Sequence, residues 1–298
     1  MASRHVVLGI LADVGMFASE GKISFAPDGA KLRAMVDSLR RGRKEGRLTP
    51  SRASKAFGLC NFVLSAVGGR VGRAACQPLI QRTFRDSDVG SSEALESMLC
   101  ILEAVLLPQP PHLVVDLARV WDRHLVMASD ACFEKRVGGL RALGIVLWDA
   151  EKRGGFFASQ VVPQWILAKL DLVAETLIMQ LEMLAVFCLY LTFGRFTQGR
   201  RVLHGVDNSG VLKTILTGWN GKPDMARLGT MLTSVMTGID GDQWFYWVAS
   251  KANIADIPSR PDFRGSARWD TLGELGLVEI PMVLPSEELW ENPAGISS

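Results

Sequence analysis

The feature that most constrains this chain is a short apolar segment that ends in an acidic residue. Residues 201–206 read Arg-Val-Leu-His-Gly-Val, which is typical of a buried strand, and Asp207 follows at the carboxyl end. The next residues, Asn-Ser-Gly, break the strand, and an apolar run to Trp219 indicates a helix. Open α/β sheets bind ligands in the crevice at the carboxyl ends of their strands. Asp207 is therefore a candidate site residue.

Three other acids fall at comparable places in the sequence. One ends an apolar strand, one lies inside an apolar helix, and one follows a third strand in the sequence Asn-Ile-Ala-Asp-Ile-Pro-Ser-Arg; they are Asp130, Glu182 and Asp256. A strand-end Asp alone is commonly a turn former or a helix cap. Glu182 is harder to explain in that way, because an unpaired carboxylate is costly to bury among apolar neighbours. We therefore expect a cation or a polar partner near Glu182.

The order of these acids, with Asn-x-Ala-Asp-x-Pro-Ser-Arg at residues 253–260, resembles the ribonuclease H (RNase H) domain of retroelement reverse transcriptases. It is most similar to that of tyrosine-recombinase (DIRS-like) retrotransposons. The likeness covers most of residues 5–260 and is firmest from residue 129 onward. It implies an α/β fold, an RNase H-like mixed sheet flanked by helices and preceded by a mainly helical segment. The pattern predicts three strands, a helix, a strand, two helices and a strand.

The resemblance implies a two-metal endoribonuclease that cleaves the RNA strand of RNA/DNA hybrids. Two divalent ions about 3.5 to 4 Å apart can activate a water and stabilise the leaving oxygen. Such hard cations, Mg²⁺ or Mn²⁺, take oxygen ligands. By motif, Asp130 would bridge both ions and Asp256 would share the ion that activates water. Glu182 and Asp207 would complete the other site.

Four further residues receive roles from the same resemblance. Asn253 and Ser259 would support the metal ligands, and Asn208 and Arg260 would contact nucleic acid. For Arg260 a salt bridge is an equally good explanation.

Charge is distributed unevenly along the chain. Residues 1–86 hold 15 Lys and Arg against 6 Asp and Glu, whereas the remaining residues hold 18 against 25. A basic part suits phosphate contact and an acidic part suits divalent cations.

Residues 28–44 have the spacing of an amphipathic helix, and Thr49-Pro50 indicates the start of a second helix. This pair resembles a polymerase thumb, which predicts that its basic residues Arg40, Arg41, Arg43 and Lys44 bind nucleic acid; a solvated basic hairpin is the alternative.

Five segments are predicted. Residues 1–27 resemble the end of a polymerase palm, expected as a β-hairpin, 28–85 a thumb, 86–120 a connection, 121–260 the RNase H-like domain, and 261–298 a tail that packs without chemistry. Since no Asp-Asp pair occurs in the chain, polymerase chemistry is not expected in it. The resemblance implies that the rest of the reverse transcriptase lies upstream as a partner polypeptide.

Cysteine and apolar patterns bear on the compartment. Five scattered Cys without a Cys-x-x-Cys, and four His without ligand spacing, indicate neither a disulfide framework nor a zinc finger. The amino terminus lacks the pattern of a signal peptide. The most apolar run, residues 183–194, is about half the roughly 20 residues that span a bilayer. We expect a protein that is intracellular and not secreted, without a membrane partner.

Two alternatives remain open at this point. One is a catalytically inactive, nucleic-acid-binding remnant of a retroelement. The other is an integrase or transposase nuclease of the same fold, which orders its acids as Asp, Asp, Glu. Here Glu182 lies between Asp130 and Asp207, which disfavours this alternative.

Residues 249–253 lack the His that cellular RNases H usually carry shortly before the position of Asp256. This lack predicts slower product release.

Overall fold

The computed structural model describes residues 4–7, 10–65, 76–84, 90–92, 94–95, 113–116, 124–134, 139–170, 177–218, 220, 222–239 and 241–291. The chain divides into two compact units. The first comprises residues 1–120 with 218–221, and the second comprises residues 121–217 with 222–298.

A small antiparallel sheet forms one part of the first unit. Its strands, in spatial order, are β1 (Arg4–Val7), β2 (Ile10–Asp13), β3 (Lys22–Pro27) and β4 (Leu113–Asp116). The hairpin predicted near the amino terminus is thus a meander of three strands. β4 lies within residues 86–120, the segment predicted to be a connection. β4 pairs with β3, with Leu113 opposite Phe25.

Four helices whose bounds are described also belong to the first unit. They are α1 (Phe17–Glu20), α2 (Gly29–Lys44), α3 (Pro50–Ser65) and α4 (Gln77–Phe84). Asp28 caps α2 by accepting a hydrogen bond from the Ala30 amide. α3 begins at Pro50 as predicted, because proline fits the first turn of a helix, where no amide donor is needed. Residues 93–107 have the apolar pattern of a helix, but they lie almost entirely outside the described residues.

A six-stranded mixed sheet organises the second unit. Its strands are β5 (His124–Glu134), β6 (Leu140–Asp149), β7 (Gly154–Val161), β8 (Arg201–Val206), β9 (Asp242–Trp247) and β10 (Leu277–Glu279), in the spatial order β10-β7-β6-β5-β8-β9. β5, β6 and β7 form an antiparallel meander, and β8 and β9 continue the sheet in parallel. With the helices between them, this order confirms the predicted fold class, an RNase H-like mixed sheet flanked by helices.

The helices of the second unit include one that is buried almost throughout. They are α5 (Gln164–Lys169), α6 (Ile178–Phe193), α7 (Ser209–Thr217), α8 (Pro223–Thr237), α9 (Ala267–Glu274) and α10 (Glu287–Glu291). Thirteen of the sixteen residues of α6 are buried. With the 3-10 turn after it, α6 is long and apolar enough to cross a membrane, yet 78% of the apolar window is buried in the unit. It is the core helix of the unit.

The two faces of the mixed sheet carry different cores. Alternate residues of a strand point to opposite faces. Leu125 and Met127 of β5 face α6, whereas Ala128 packs with Ala255 and Ile257. A segment of short 3-10 turns, residues 250–263, therefore covers the face opposite α6. The expected tail adds α9 and the edge strand β10 to this unit.

Buried cysteines contribute apolar volume to the cores of both units. Cys60, Cys76, Cys132 and Cys188 are buried and form no disulfide among the described residues, while Cys100 lies outside them. Complete burial raises the pKa of the Cys188 thiol. These four thiols behave as small hydrophobic side chains.

Gly144 is the point of closest approach between the sheet and the covering segment. A Cβ at this position would lie 2.2 Å from the Ser259 amide nitrogen and 2.5 Å from the Ala255 carbonyl oxygen. Both are backbone atoms, so they cannot move aside as a flexible side chain would. Only glycine allows the segment to lie this close to β6.

We predict that Gly144→Ala lowers the free energy of unfolding by about 2 to 3 kcal/mol, because the methyl group must displace the 255–259 backbone. Urea denaturation of the whole chain measures the change. Gly273→Ala in α9 is the matched control, because a Cβ there meets no heavy atom within 4 Å. A Gly144→Ala protein as stable as the control would contradict the close approach.

Candidate metal centre

Asp130 is presented to the covering segment by the strand that carries it. It lies on β5 opposite Gly144 of β6, where no side chain stands between the sheet and residues 255–259. The Ser259 hydroxyl donates a hydrogen bond to Asp130 Oδ2. Asp130 is buried. Ser259 therefore contacts Asp130 directly, as a residue that supports this acid would.

Asp207 reaches the same place through the register of two parallel strands. Ala128 of β5 stands beside Gly205 of β8, and Asp207 follows Gly205 by the same two residues by which Asp130 follows Ala128. Glu182 enters from α6. One carboxylate oxygen from each of these three acids lies within 4.8 Å of the other two. Three separate elements thus bring three predicted ligands into one cluster.

The pKa values of two acids in the cluster, Asp130 and Glu182, are raised above their usual range. Burial, and then repulsion from Asp130, Asp207 and Asp256, raises the pKa of Glu182 to about 10. Burial, only partly opposed by the Ser259 hydrogen bond, raises the pKa of Asp130 to about 7. Within the described part of the chain, Glu182 Oε2 and Asp207 Oδ1 are buried without a hydrogen-bond partner.

These observations fit a divalent cation. Hard cations take carboxylate oxygens as ligands, and a bound cation would satisfy the two orphaned oxygens and offset the mutual repulsion of the acids. No Lys or Arg side chain forms an ion pair with Asp130, Glu182 or Asp207 among the residues that the structure describes. Within these residues, the expected partner of Glu182 is therefore not a basic side chain.

Asp256 lies beside the cluster and is bonded differently. Its Oδ1 accepts a hydrogen bond from Arg260 Nε at 2.9 Å, and its Oδ2 accepts one from the Arg268 guanidinium. It is near enough for its charge to raise the pKa of Asp130 and Glu182. The structure thus groups three of the four predicted acids and leaves the fourth in ion pairs.

The other predicted site residues have identifiable contacts. Asn253 Nδ2 donates to the Ser129 carbonyl oxygen at 2.9 Å, which ties the covering segment to the residue before Asp130. Arg260 forms the salt bridge that the sequence left as an alternative. Asn208 Oδ1 accepts from the amides of Gly210 and Val211, so this side chain caps α7. The nucleic-acid contacts of Arg260 and Asn208 stay predictions.

A buried polar network behind the cluster is not indicated by the sequence. Ser129 Oγ lies 3.1 Å from His204 Nε2, and the Tyr190 hydroxyl lies 3.4 Å from His204 Nδ1. The same hydroxyl donates to Gln243 Oε1 at 3.1 Å. Burial lowers the pKa of His204 to about 3, so the imidazole is neutral at physiological pH. The network joins β5, β8, β9 and α6 directly behind the acids.

Two further side chains next to the acids also lie outside the sequence-based set. Trp247 Nε1 donates to the Asp207 carbonyl oxygen at 3.2 Å. Arg268 reaches Asp256 from α9, twelve residues further along the chain. Neither has a motif of its own, because an isolated Trp or Arg is common on any surface.

The basic cluster of the first unit is solvent-exposed. Its members, defined here as Arg40, Arg41, Arg43 and Lys44, all lie at the carboxyl-terminal end of α2. A cavity of about 270 Å³ between α2 and α3 is lined by Arg41, Arg52 and Lys55 together with Glu45, which pairs with Arg52. Nucleic-acid binding by the basic cluster stays a prediction.

Comparison with known proteins gives limited matches. No family model and no curated protein matches the chain. It is similar to RNase H1 from the halophilic archaeon Halobacterium salinarum, with 17% identity and a TM-score of 0.34 over 44% of this chain and 90% of that one. It is also similar to the N-terminal RNase H domain of rv2228c from Mycobacterium tuberculosis, solved as a fusion with maltose binding protein, with 13% identity and a TM-score of 0.37 over 51% and 97%. The fold of the second unit is defined by the strand order of its sheet, and the candidate site by the geometry of its acids.

Removal of one acid should change how stability depends on pH. An acid whose pKa is higher in the folded state keeps its proton there while the unfolded chain releases it. The free energy of unfolding therefore falls as pH rises, from about pH 4 to 7 for Asp130 and from about pH 4.5 toward 10 for Glu182. The slope is at most about 1.4 kcal/mol per pH unit for each retained proton.

We predict that Glu182→Gln, in EDTA, is more stable than the wild type at pH 8 and loses less stability between pH 5 and 8. Mg²⁺ should stabilise the wild type more at pH 8 than at pH 5, because protons and the cation compete for the same oxygens. Urea titrations at each pH provide the measurement, with Glu274→Gln on the exposed face of α9 as the control. Equal slopes for wild type and Glu182→Gln would show that this carboxyl group is not perturbed.

Proposed function

We propose that the second unit is a divalent-metal-dependent endoribonuclease of the RNase H type, which cleaves the RNA strand of RNA/DNA hybrids. The observation that carries the proposal is the cluster of Asp130, Glu182 and Asp207, whose oxygens approach within 4.8 Å from three separate elements. Their order along the chain and the strand order of the sheet both support this assignment. The ions would be Mg²⁺ or Mn²⁺, two of them, with Asp130 as the shared ligand.

The chain's own residues have distinct tasks in this reaction. When bound, the ions supply an activated water and charge stabilisation for the leaving oxygen. Ser259 fixes the orientation of Asp130 through its hydroxyl, and Asn253 holds the adjacent backbone. Glu182 and Asp207 each present a buried oxygen without another partner. Such preorganised oxygens need no rearrangement before they bind a cation.

The substrate assignment rests on the nature of the RNase H-type site. Recognition of a hybrid requires 2′-hydroxyl groups on one strand only, because the 2′-hydroxyl is what distinguishes RNA from DNA. We therefore propose that duplex DNA is not cleaved. An inactive remnant that only binds nucleic acid remains the second candidate, supported by the exposed basic cluster of α2.

We further propose that the chain belongs to a retroelement reverse transcriptase, of the tyrosine-recombinase type, and acts together with an upstream polymerase polypeptide. Support comes from the sequence Ala-Asp-Ile-Pro-Ser-Arg at residues 255–260, whose Ser and Arg both contact acids of the site. The paired helices α2 and α3 precede the second unit along the chain, as thumb helices would, and they add to this support.

We predict that Asp207→Asn lowers hybrid cleavage by at least about 100-fold while the fold is retained. The amide keeps the volume of the side chain but lacks the negative charge that a divalent ion requires. A labelled RNA/DNA hybrid, incubated with Mg²⁺ or Mn²⁺, reports cleavage, and duplex DNA of the same sequence should stay intact. Asp270→Asn, on the exposed face of α9, is the matched control.

The outcomes of this assay separate the candidates. Cleavage that survives Asp207→Asn would assign the activity to another site or to a contaminant. A folded wild type that binds the hybrid without cutting it, and gains no stability from Mg²⁺, would favour the binding remnant.

We predict that neutralising the basic cluster weakens hybrid binding and flattens its dependence on salt. Each phosphate contact contributes about 0.9 to the slope of log K against log salt, so four contacts would remove roughly 3 to 4 units. Binding of the quadruple Gln variant, measured in Ca²⁺ to avoid cleavage, provides the test. Lys31→Gln with Arg33→Gln, at the other end of α2, is the control. An unchanged slope would identify the cluster as ordinary solvated charge.

A further inference from the structure

Asp256 differs from the other three acids in its charge environment. Each of its carboxylate oxygens accepts a hydrogen bond from a guanidinium group, Oδ1 from Arg260 and Oδ2 from Arg268. The carboxylate is 19% exposed, so both ion pairs are partly shielded from water. Asp130, Glu182 and Asp207 have no such partner among the described residues. The fourth acid is therefore held in two ion pairs, whereas the other three form none among the described residues.

Arg268 is held in this position by an aromatic side chain. Its guanidinium carbon lies 4.7 Å from the centre of the Phe263 ring, and that of Arg260 lies 5.9 Å from the same ring. A guanidinium group over an aromatic face is stabilised by the ring quadrupole. Phe263 thus positions both guanidinium groups at Asp256. Arg268 is nevertheless 51% exposed, which leaves it room to swing away.

A cation that binds to Asp256 must contend with these two positive groups. It would have to share or displace a charge-assisted hydrogen bond, and it would be repelled by the guanidinium that remains nearby. A cation at Asp130, Glu182 and Asp207 meets three carboxylates, two of which have orphaned buried oxygens, and it displaces no ion pair among the described residues. Arg260 acts on this cluster only through the longer-range effect of its charge on Asp130. The two positions expected for divalent ions are therefore unequal in affinity.

We propose that Arg268 competes with a divalent cation for Asp256, so that the two metal sites of the proposed nuclease fill in order. The first ion binds at Asp130, Glu182 and Asp207. The second, between Asp130 and Asp256, binds weakly for as long as Arg268 occupies Asp256 Oδ2. This inference rests on the proposed function for the presence of two cation sites, and adds Arg268 as the residue that sets their difference.

Calorimetric titration of the whole chain with Mn²⁺ tests the inference without any use of activity. The wild type should bind one ion at least about tenfold more tightly than a second. Arg268→Gln should strengthen the second binding step roughly three- to tenfold, the range of a partly exposed, charge-assisted ion pair, and leave the first step unchanged. Arg268→Lys, which keeps the positive charge, should resemble the wild type.

Arg264→Gln is the matched control, because Arg264 is also half exposed and pairs with Glu279 away from Asp256. It should leave both binding steps unchanged. Two ions of equal affinity in the wild type, or an Arg268→Gln protein whose second step is unchanged or weaker, would overturn the inference alone. A folded wild type that binds no Mn²⁺ would overturn the proposed function and this inference with it.

Discussion

The burial of one carboxylate in an apolar helix is the constraint on which the site depends. α6 supplies the core of the second unit from nearly all of its sides, and Glu182 lies in its second turn among buried apolar residues. Burying an uncompensated charge costs several kcal/mol, so the protein must either protonate the group or supply a counter-charge. Burial and the neighbouring acids raise the pKa of Glu182, which favours the protonated form when no cation is bound. Stability of the fold and occupancy of the site are therefore linked.

Much of the second unit was predictable because its elements are strongly patterned. Apolar periodicity predicts the three antiparallel strands, α6, β8 and β9. The candidate acids were identified from their places at the ends of these strands or inside α6. Other features depend on strand pairings between distant segments, which the local sequence pattern does not indicate. β4 joins β3 across nearly ninety residues, and β10 is only three residues long. Strand pairing at such separations is decided by packing of the whole unit.

The candidate site shows the same division. Asp130, Glu182 and Asp207 could be predicted because each ends or occupies a recognisable element. The state of Asp256 could not, because it is decided by Arg268, which approaches from another helix. The Ser129–His204 contact was equally hidden, since two residues 75 positions apart meet only through the parallel register of β5 and β8. Motifs identify ligands, whereas tertiary packing decides their charge partners.

The edge strand β10 also affects how the unit can assemble during synthesis. Leu277 pairs with Gly155, so β7 must wait for more than a hundred further residues to leave the ribosome before its outer edge is covered. Contacts this distant in sequence slow folding, and an uncovered strand edge can pair with another chain in the meantime. Nascent chains of this protein should therefore be most vulnerable to aggregation while β7 is exposed and β10 is still inside the exit tunnel.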